Sequence, residues 1–158
     1  LITIQIDMLL AQKFGMEYVD RDGEKKTPYI IHRTSIGCYE RTLALLIEKY
    51  AGALPTWLAP EQVRIMPMTD RNADYAADIR AELEKQGFRC ELDDRNEKIG
   101  YKIREAQLEK VPYMLVLGDK EQEAGAVAVR DRKDGKTTVM PLDEFVEKLA
   151  YEVNNRLK

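Results

Sequence analysis

Polar side chains that can bind a ligand are concentrated in residues 93–121. Within this stretch, residues 97–110 have the pattern of a charged helix, with Ile99 and Ile103 on its inward side, directly before the apolar run 113–117. Two functions fit such a helix. Its lysines can hold nucleic-acid phosphates, or its charges can form a solvated face joined by i,i+3 and i,i+4 pairs. The spacing alone favours the solvated face.

The outer face of this predicted helix carries Lys98, Lys102, Glu105 and Glu109. Lys102 is therefore expected in solvent or on a phosphate. Gly100 weakens the solvated-face interpretation, because glycine inside a helix costs roughly 1 kcal/mol relative to alanine. Either a ligand or a packed neighbour then approaches the backbone closely there. Asn96 precedes the helix and fits its N-cap.

Three residues near the start of the chain have side chains suited to chemistry. His32 is the single histidine, and neither Cys38 nor Cys90 lies at zinc-ligand spacing from it, so the residues alone predict no metal site in this chain. Cys38 is expected to be a buried thiol. Arg41 lies near the start of a predicted helix, where the helix dipole disfavours a cation. It is either paired with a neighbouring glutamate or has another task.

Composition limits the function classes. The net charge of −3 excludes a protein that coats nucleic acid non-specifically, because such binding scales with neutralised phosphates. The 44% of hydrophobic residues can form a core, yet no run is long enough to span a bilayer. Two distant cysteines fit the reducing cytosol. A strand pattern already under way at Thr3, without an initiator Met, predicts a piece of a longer protein.

The residues discussed above lie in two regions of the chain, whose strands and helices must hold them in place. Residues 1–32 have the pattern of strands and turns, and a helix over about 43–50 ends at Gly52. Pro55 and Pro60, on either side of Trp57, cannot continue a helix. We place the domain boundary here, which gives domains of residues 1–54 and 55–158.

The second region alternates strands and helices, which predicts a parallel or mixed sheet covered by helices. In such sheets ligands bind beyond the carboxyl ends of the strands. Those ends are residues 68–70, 93–96 and 118–121, which we predict to be polar loops at one edge of the sheet. The charged helix therefore begins where a ligand is expected.

Four stretches carry a family resemblance: "TIQID", "IIHRTSIGCYERTLALLIEKYAG", "PTWLAPEQV" and "DRNEKIGYKIREAQLEKVPYMLVLGDKE". Together they resemble the C-terminal part of the threonyl-tRNA synthetases. The resemblance implies an α/β fold in which a mixed five-stranded sheet is flanked by about three helices. It also implies a preceding remnant of the antiparallel class II catalytic domain, including its third motif, "GCYER".

The resemblance also implies roles at matching positions. In the first region, Thr3 and Gln5 would line the threonine pocket, His32 would be one of three zinc ligands, and Arg41 would stack on the adenine of ATP. In the second region, the positions that would contact the anticodon are Asn96, Lys98, Arg104, Glu121 and Arg130. We expect these groups to converge at the loop edge, with the helix holding phosphates and the edge residues reading bases.

The implied partner is the anticodon stem-loop of tRNA, and no membrane is expected. The parent enzyme would be a cytoplasmic homodimer that uses Zn²⁺, ATP and Mg²⁺. This chain lacks the other zinc ligands and the first two class II motifs, so it is expected to be inactive, monomeric and without bound cofactors. Leu1, Ile2 and Cys38 depart from the usual family pattern. The alternative is a non-catalytic synthetase-like module that binds RNA or protein, and retention of the catalytic-type residues favours the enzyme.

Overall fold

A two-stranded antiparallel ladder begins the chain in the computed structural model, which describes residues 3–34 and 37–157. Strand β1 (Thr3–Asp7) pairs with β4 (Ile30–Thr34). Between them, α1 (Leu10–Lys13) precedes a hairpin of β2 (Tyr18–Val19) and β3 (Lys25–Lys26). The hairpin turns at Asp22-Gly23, where Gly23 has a φ of 80°. Helix α1 was not predicted, because four residues are too few to show a helical period.

Helix α2 (Tyr39–Tyr50) follows, and Gly52 has a φ of 78° where the helix was predicted to stop. Contacts divide the chain into two units, residues 1–46 and 47–158, and the division falls within α2. In the part of α2 that the structure describes, no residue is buried. Its apolar residues are therefore left partly or largely exposed, as Leu43 and Ile47 show at 53% and 50% exposure.

The second unit contains the predicted alternation of strands and helices. In chain order the elements are β5 (Val63–Pro67), a short 3-10 helix (Asp70–Asn72), α3 (Ala73–Lys85), β6 (Cys90–Leu92), α4 (Ile99–Leu108), β7 (Tyr113–Leu117), α5 (Asp119–Ala124), β8 (Ala126–Asp131), β9 (Thr137–Pro141) and α6 (Leu142–Asn154).

These strands form a mixed five-stranded sheet in the order β6-β5-β7-β8-β9. Strand β5 is parallel to both β6 and β7, whereas β8 is antiparallel to β7 and to β9. The mixed α/β fold is therefore confirmed. In the described residues of this unit α3, α4 and α6 are the longer helices, and α5 has only six residues.

Each face of the sheet has its own core, because successive side chains of a strand point to opposite faces. On the first face, Ile79 of α3 and Phe145 of α6 pack against residues such as Ile65 and Leu115. On the second face, Ala106 of α4 packs against Met66 and Met114. Strand β7 is buried on both faces, as its continuous apolar run predicted.

The second face is only partly covered. Helix α4 packs over β5 and β7, as its contacts with Met66 and Met114 show. On the same face, Val139 of β9 pairs with Ala128 and is 61% exposed. The part of this face over β9 is therefore open to solvent.

Buried polar contacts hold the chain that leads into the sheet. Gln62 is 1% exposed; its amide donates to the Thr56 carbonyl at 3.0 Å and accepts from the Arg89 amide at 2.9 Å. Thr56 and Tyr113 both donate to Glu152 of α6, at 3.0 and 2.7 Å. Trp57 is half-buried, with the Arg156 guanidinium 5.7 Å from its ring centroid. No helix of the described residues is both long and apolar enough to cross a membrane.

Candidate nucleic-acid interface

The carboxyl ends of β5, β6 and β7 meet at one edge of the sheet, because these three strands are parallel. The residues predicted at this edge therefore do lie together. One detail differs: residues 119–124 form helix α5 and not a loop. The edge is thus more ordered than the sequence predicted.

A buried amide that the sequence did not single out joins two of these strand ends. Asn72 is 1% exposed, and its Nδ2 donates to Asp119 Oδ1 and Gln122 Oε1, each at 2.9 Å. The Thr69 hydroxyl donates to Asn72 Oδ1 at 2.8 Å. In the sequence, the signal that could have pointed to Asn72 was the run of polar residues after β5. Its partners, however, lie almost fifty residues further on, at α5.

Glu121 has a structural contact within the edge. Its Oε2 accepts from the Gly118 amide at 2.9 Å and so caps the start of α5. A Cβ at Gly118 would lie 2.9 Å from Met68 Sδ and 3.0 Å from Glu121 Oε2, so no larger residue fits there without movement. Glu121 is half-buried, and one of its two carboxylate oxygens is already occupied by this cap.

Asn96 and Lys98 are exposed in the connection between β6 and α4. The predicted N-cap role of Asn96 is wrong, because Lys98 occupies that position. Asn96 makes no hydrogen bond to the part of the chain that the structure describes. Its amide is therefore free to donate to, and accept from, an incoming group.

A depression of about 260 Å³ opens beside Asn96 at the carboxyl edge, between the ends of β5 and β6. Its lining is mostly polar and includes Thr69, Asp70, Asp94 and Lys102. A second depression, of about 440 Å³, is lined by Arg64, but that guanidinium is already paired with Glu61 and Glu109. The first depression thus combines a position at the carboxyl edge of the sheet with a free amide.

Lys102 is not on the outer face of α4, and that expectation is wrong. It is 3% exposed, its Nζ donates to the Asp93 carbonyl at 2.8 Å, and it lies 3.9 Å from Asp93 Oδ1. Lys102 lies three residues after Ile99 and four before Ala106, so it is next to the apolar side of the helix, which the assignment to the outer face overlooked. The carbonyl and carboxylate of Asp93, at the end of β6, draw it inward. Lys102 therefore does not hold a phosphate.

Asp93 is the centre of an ionic network. Arg95 Nε and Nη2 donate to its two carboxylate oxygens at 2.8 and 2.7 Å, and Arg95 Nη2 also donates to Glu105 Oε2 at 2.6 Å. The Arg95 guanidinium lowers the pKa of the Asp93 carboxyl, whereas burial acts in the opposite direction. Asp93 is therefore ionised at neutral pH.

Arg130 does not lie at the same edge. Its register partner on β7 is Met114, four residues before Gly118, which places Arg130 about 13 Å back along the strands. Its guanidinium extends toward the β8–β9 turn, where Nη2 lies 3.5 Å from an ideal Cβ at Gly135. Among the described residues, Arg130 Nε is buried without a hydrogen-bond partner. The expected convergence is therefore wrong in this respect, although Arg130 does lie on the sheet face that α4 partly covers.

Arg104 is exposed on α4, on the opposite side of the helix from the buried Ala106. The structure thus brings Asn96, Lys98 and Glu121 to one edge and places Arg104 and Arg130 away from it. Whether each of these residues contacts RNA stays a prediction.

The predicted site residues of the first unit form a separate group. Gln5 lies opposite His32 and Thr3 opposite Thr34, so these side chains share one side of the β1–β4 ladder. All of them are exposed, as is Arg41 in the first turn of α2. Cys38 is also exposed, and its thiol donates to Glu40 at 2.7 Å, so its expected burial is wrong.

The resemblance implies that His32 is one of three zinc ligands, and the described residues do not bring further ligands to it. Among the described residues, no group of three or more His, Cys, Asp and Glu side chains is arranged to hold a metal ion. A tetrahedral catalytic zinc site uses three protein ligands. The described residues therefore do not form a complete site, and no chemical step is assigned to zinc in this chain.

Comparison with protein families identifies the second unit. Residues 62–152 match the anticodon binding domain. The chain belongs to the family of anticodon-binding domains. Residues 1–50 also match the class II tRNA synthetase core domain of the G, H, P, S and T enzymes. The boundary between residues 54 and 55 remains a prediction.

Relatives of this chain are threonine–tRNA ligases. It is 62% identical over 156 residues to the enzyme of Clostridium perfringens and 57% identical over 153 residues to that of Clostridium botulinum. These matches cover 99% and 97% of the chain but only 24% of each relative. The chain therefore spans about a quarter of the length of the relatives it matches.

A solved structure supports the fold. The RNA-binding domain of the threonyl-tRNA synthetase from Cryptosporidium parvum superposes with a TM-score of 0.74 at 34% identity. The match covers 95% of this chain and 38% of that one. The family resemblance read from the sequence is confirmed.

Proposed function

We propose that the second unit binds the anticodon stem-loop of threonine tRNA. The observation that carries this proposal is the 62% identity to a threonine–tRNA ligase across 99% of the chain. The geometry adds support, because Asn96 and Lys98 are exposed at the carboxyl edge beside a polar depression. Anticodon loops are single-stranded, and their splayed bases offer their edges to such groups.

Base reading is assigned to Asn96, Glu121 and Arg130. The free amide of Asn96 donates and accepts, the remaining oxygen of Glu121 accepts, and the guanidinium of Arg130 donates. Because Arg130 lies about 13 Å from the edge along the strands, it would meet a different nucleotide from Asn96. Lys98 and Arg104 would hold phosphates, which position the RNA without reading its sequence.

The activity of the whole protein is also a proposal: attachment of threonine to tRNA with ATP. Thr3 and Gln5 would line the threonine pocket, His32 would supply one of three zinc ligands, and Arg41 would stack on the adenine of ATP. The shared side of Gln5 and His32 on the ladder supports this group. The alternative, a non-catalytic binding module, is less favoured because the relatives are ligases.

We further propose that the parent enzyme is a cytoplasmic homodimer that uses Zn²⁺ and Mg²⁺. The present chain by itself is proposed to be monomeric, inactive and without bound cofactors. Measurable threonine-dependent pyrophosphate exchange by the purified chain would overturn its proposed inactivity. Sedimentation velocity over a range of protein concentrations tests whether the chain is monomeric.

The RNA proposal is tested by titrating the chain at low salt with two RNA hairpins, one carrying a threonine anticodon and one with that loop scrambled. Asn96→Ala should weaken the matched hairpin by about 1–3 kcal/mol and the scrambled hairpin much less. Arg104→Ala should weaken both equally, because it removes a phosphate contact. Lys85→Ala, at the far end of α3, is the matched control and should change neither. Equal binding of both hairpins by the unsubstituted chain would overturn the proposal.

A further inference from the structure

A buried lysine lines the same depression as the exposed Asn96. Lys102 is 3% exposed in the second turn of α4, and Asp93, with which it interacts, is 7% exposed. We propose that Lys102 is a positioning residue, which fixes the β6–α4 connection so that Asn96 is presented to the RNA. This inference rests on the proposed anticodon binding and deepens it.

The contacts of Asp93 show how the connection is held. Its amide donates to the Ile65 carbonyl of β5 at 2.8 Å, and its carbonyl accepts from Lys102 Nζ at 2.8 Å. Its carboxylate is held by the fork of Arg95, which in turn reaches Glu105 of α4. The first residue of the connection is therefore tied both to the sheet and to the helix.

Asn96 lies between two fixed points. Arg95, on one side, is bound to Asp93 and Glu105, and its carbonyl accepts from the Glu97 amide at 2.8 Å. Lys98, on the other side, begins α4, and its carbonyl accepts from the amides of Tyr101 and Lys102. The side chain of Asn96 has no hydrogen bond to the described residues, so its placement depends on these neighbours.

The use of a charged residue here favours positioning over simple packing. Burying an ammonium and a carboxylate carries a desolvation cost, and apolar residues of similar volume are often at least as stabilising. A lysine adds directed donors, which specify where the Asp93 carbonyl must lie. Burial also keeps Lys102 from reaching a phosphate, which separates its effect from that of the exposed Lys98.

The test compares Lys102→Met with Lys98→Met in the full chain, using the matched and scrambled hairpins over a series of salt concentrations. Lys102→Met should reduce the ratio of the two affinities by about fivefold or more and leave the salt dependence unchanged. Lys98→Met should weaken both hairpins together and flatten the salt dependence. Far-UV circular dichroism and a thermal melt establish that each variant is folded at the titration temperature.

A double-mutant cycle distinguishes positioning from a general structural defect. If Lys102 acts through Asn96, Lys102→Met should not change the affinity ratio further in an Asn96→Ala background, because the contact is already lost. If Lys102→Met fails to fold, Glu105→Gln is the second variant, because it weakens the ion pair between Arg95 and the partly exposed Glu105. It should lower the ratio of the two affinities in the otherwise unsubstituted chain but not in an Asn96→Ala background.

Two outcomes would overturn the inference alone: a folded Lys102→Met variant that keeps the full affinity ratio, or one that flattens the salt dependence as Lys98→Met does. Equal binding of both hairpins by the unsubstituted chain would instead remove the proposed function, and this inference with it.

Discussion

The two units of the chain bury their apolar residues very differently. In the first unit, Ile4 and Ile31 are 64% and 67% exposed, and among described residues 3–34 and 37–46 only Ala11 is buried. In the second unit, Leu115 and Phe145 are fully buried within a core that spans both long helices of one sheet face. Both units therefore form strands and helices, but only the second unit buries its apolar residues in a core.

A regular hydrophobic pattern along a segment is therefore not enough to make that unit stable on its own. A two-stranded ladder is marginal in water unless further strands or a helix cover its apolar face. The second unit has five strands in one sheet and a helix layer on each face. We infer that the second unit carries most of the folding stability of this chain, and that the RNA binding proposed for it can therefore be tested without a stable first unit.

The largest expected effect comes from matched truncations in the two units. Leu115→Ala in β7 should lower the free energy of unfolding by about 2–5 kcal/mol, because it opens a cavity in the core. Ile31→Ala in β4 should change it by less than about 0.5 kcal/mol, because that side chain is already exposed. Urea denaturation followed by far-UV circular dichroism measures both. Similar losses at the two positions would break the comparison.

Thiol reactivity gives a second contrast. Cys38 of the first unit is exposed, whereas Cys90 of the second is buried. Burial raises the pKa of the Cys90 thiol to about 11, so only about one thiol in a thousand is ionised at pH 8. Iodoacetamide at pH 8 should therefore modify Cys38 on the order of a hundredfold faster, as measured by peptide mass spectrometry. Addition of urea is the control and should bring the two rates together.

Acid titration distinguishes a buried carboxylate from a partly exposed one. The pKa of Asp93 is lowered mainly by Arg95, and that of Asp20 in the first unit mainly by Lys26. Each lowered pKa stabilises the folded state above the unfolded value of 3.8, and the benefit is lost as pH falls through the folded pKa. Asp93→Asn should therefore flatten the loss of stability below about pH 4.

Asp20→Asn is the matched control for this titration. Its side chain is 27% exposed, against 6% for Asp93, and solvent screens its ion pair with Lys26, so the acid limb of the stability curve should change little. Denaturation midpoints between neutral and acid pH measure both variants. If both substitutions flattened the acid limb of the stability curve equally, the ionic network of Asp93 would contribute no more to stability than the ion pair of Asp20.

The sequence predicts local features of this fold well. Strand β7 was recognised because residues 113–117 form a continuous apolar run. Helix α4 was predicted over residues 97–110 and is observed as Ile99–Leu108, since its ends lack strong capping signals. Helices α1 and α5 were missed because neither is long enough to show a period.

What the sequence did not predict depends on contacts between distant residues. The burial of Lys102 depends on the Asp93 carbonyl at the end of another strand. The position of Arg130 depends on the antiparallel register of β8 with β7, which no local pattern specifies. The exposure of Cys38 follows from the lack of a core around the start of α2. The sequence thus predicted that Asn96, Lys98 and Glu121 lie at one edge, but not where Arg130 lies or that Lys102 is buried.

The smallest expected effects concern three glycines that have the same free space but different backbones. A Cβ at Gly15, Gly87 or Gly100 would meet no atom within 4 Å. Gly15 and Gly87 have φ of +62° and +86°, whereas Gly100 lies in α4 with an ordinary helical backbone. Alanine is strained at the first two positions, at a cost of about 1–2 kcal/mol, and is favoured at the third.

Gly100→Ala should therefore raise the free energy of unfolding by up to about 1 kcal/mol. Gly87→Ala should lower it, and Gly15→Ala should lower it less, because the first unit contributes little to the measured transition. The structure also removes the packing explanation for Gly100, since its free space is open. With no packed neighbour there, the remaining explanation for Gly100 is that the RNA approaches its backbone closely. We therefore expect Gly100→Ala to weaken hairpin binding while it stabilises the fold. Stabilisation with unchanged affinity would show that the RNA does not approach α4 at this turn.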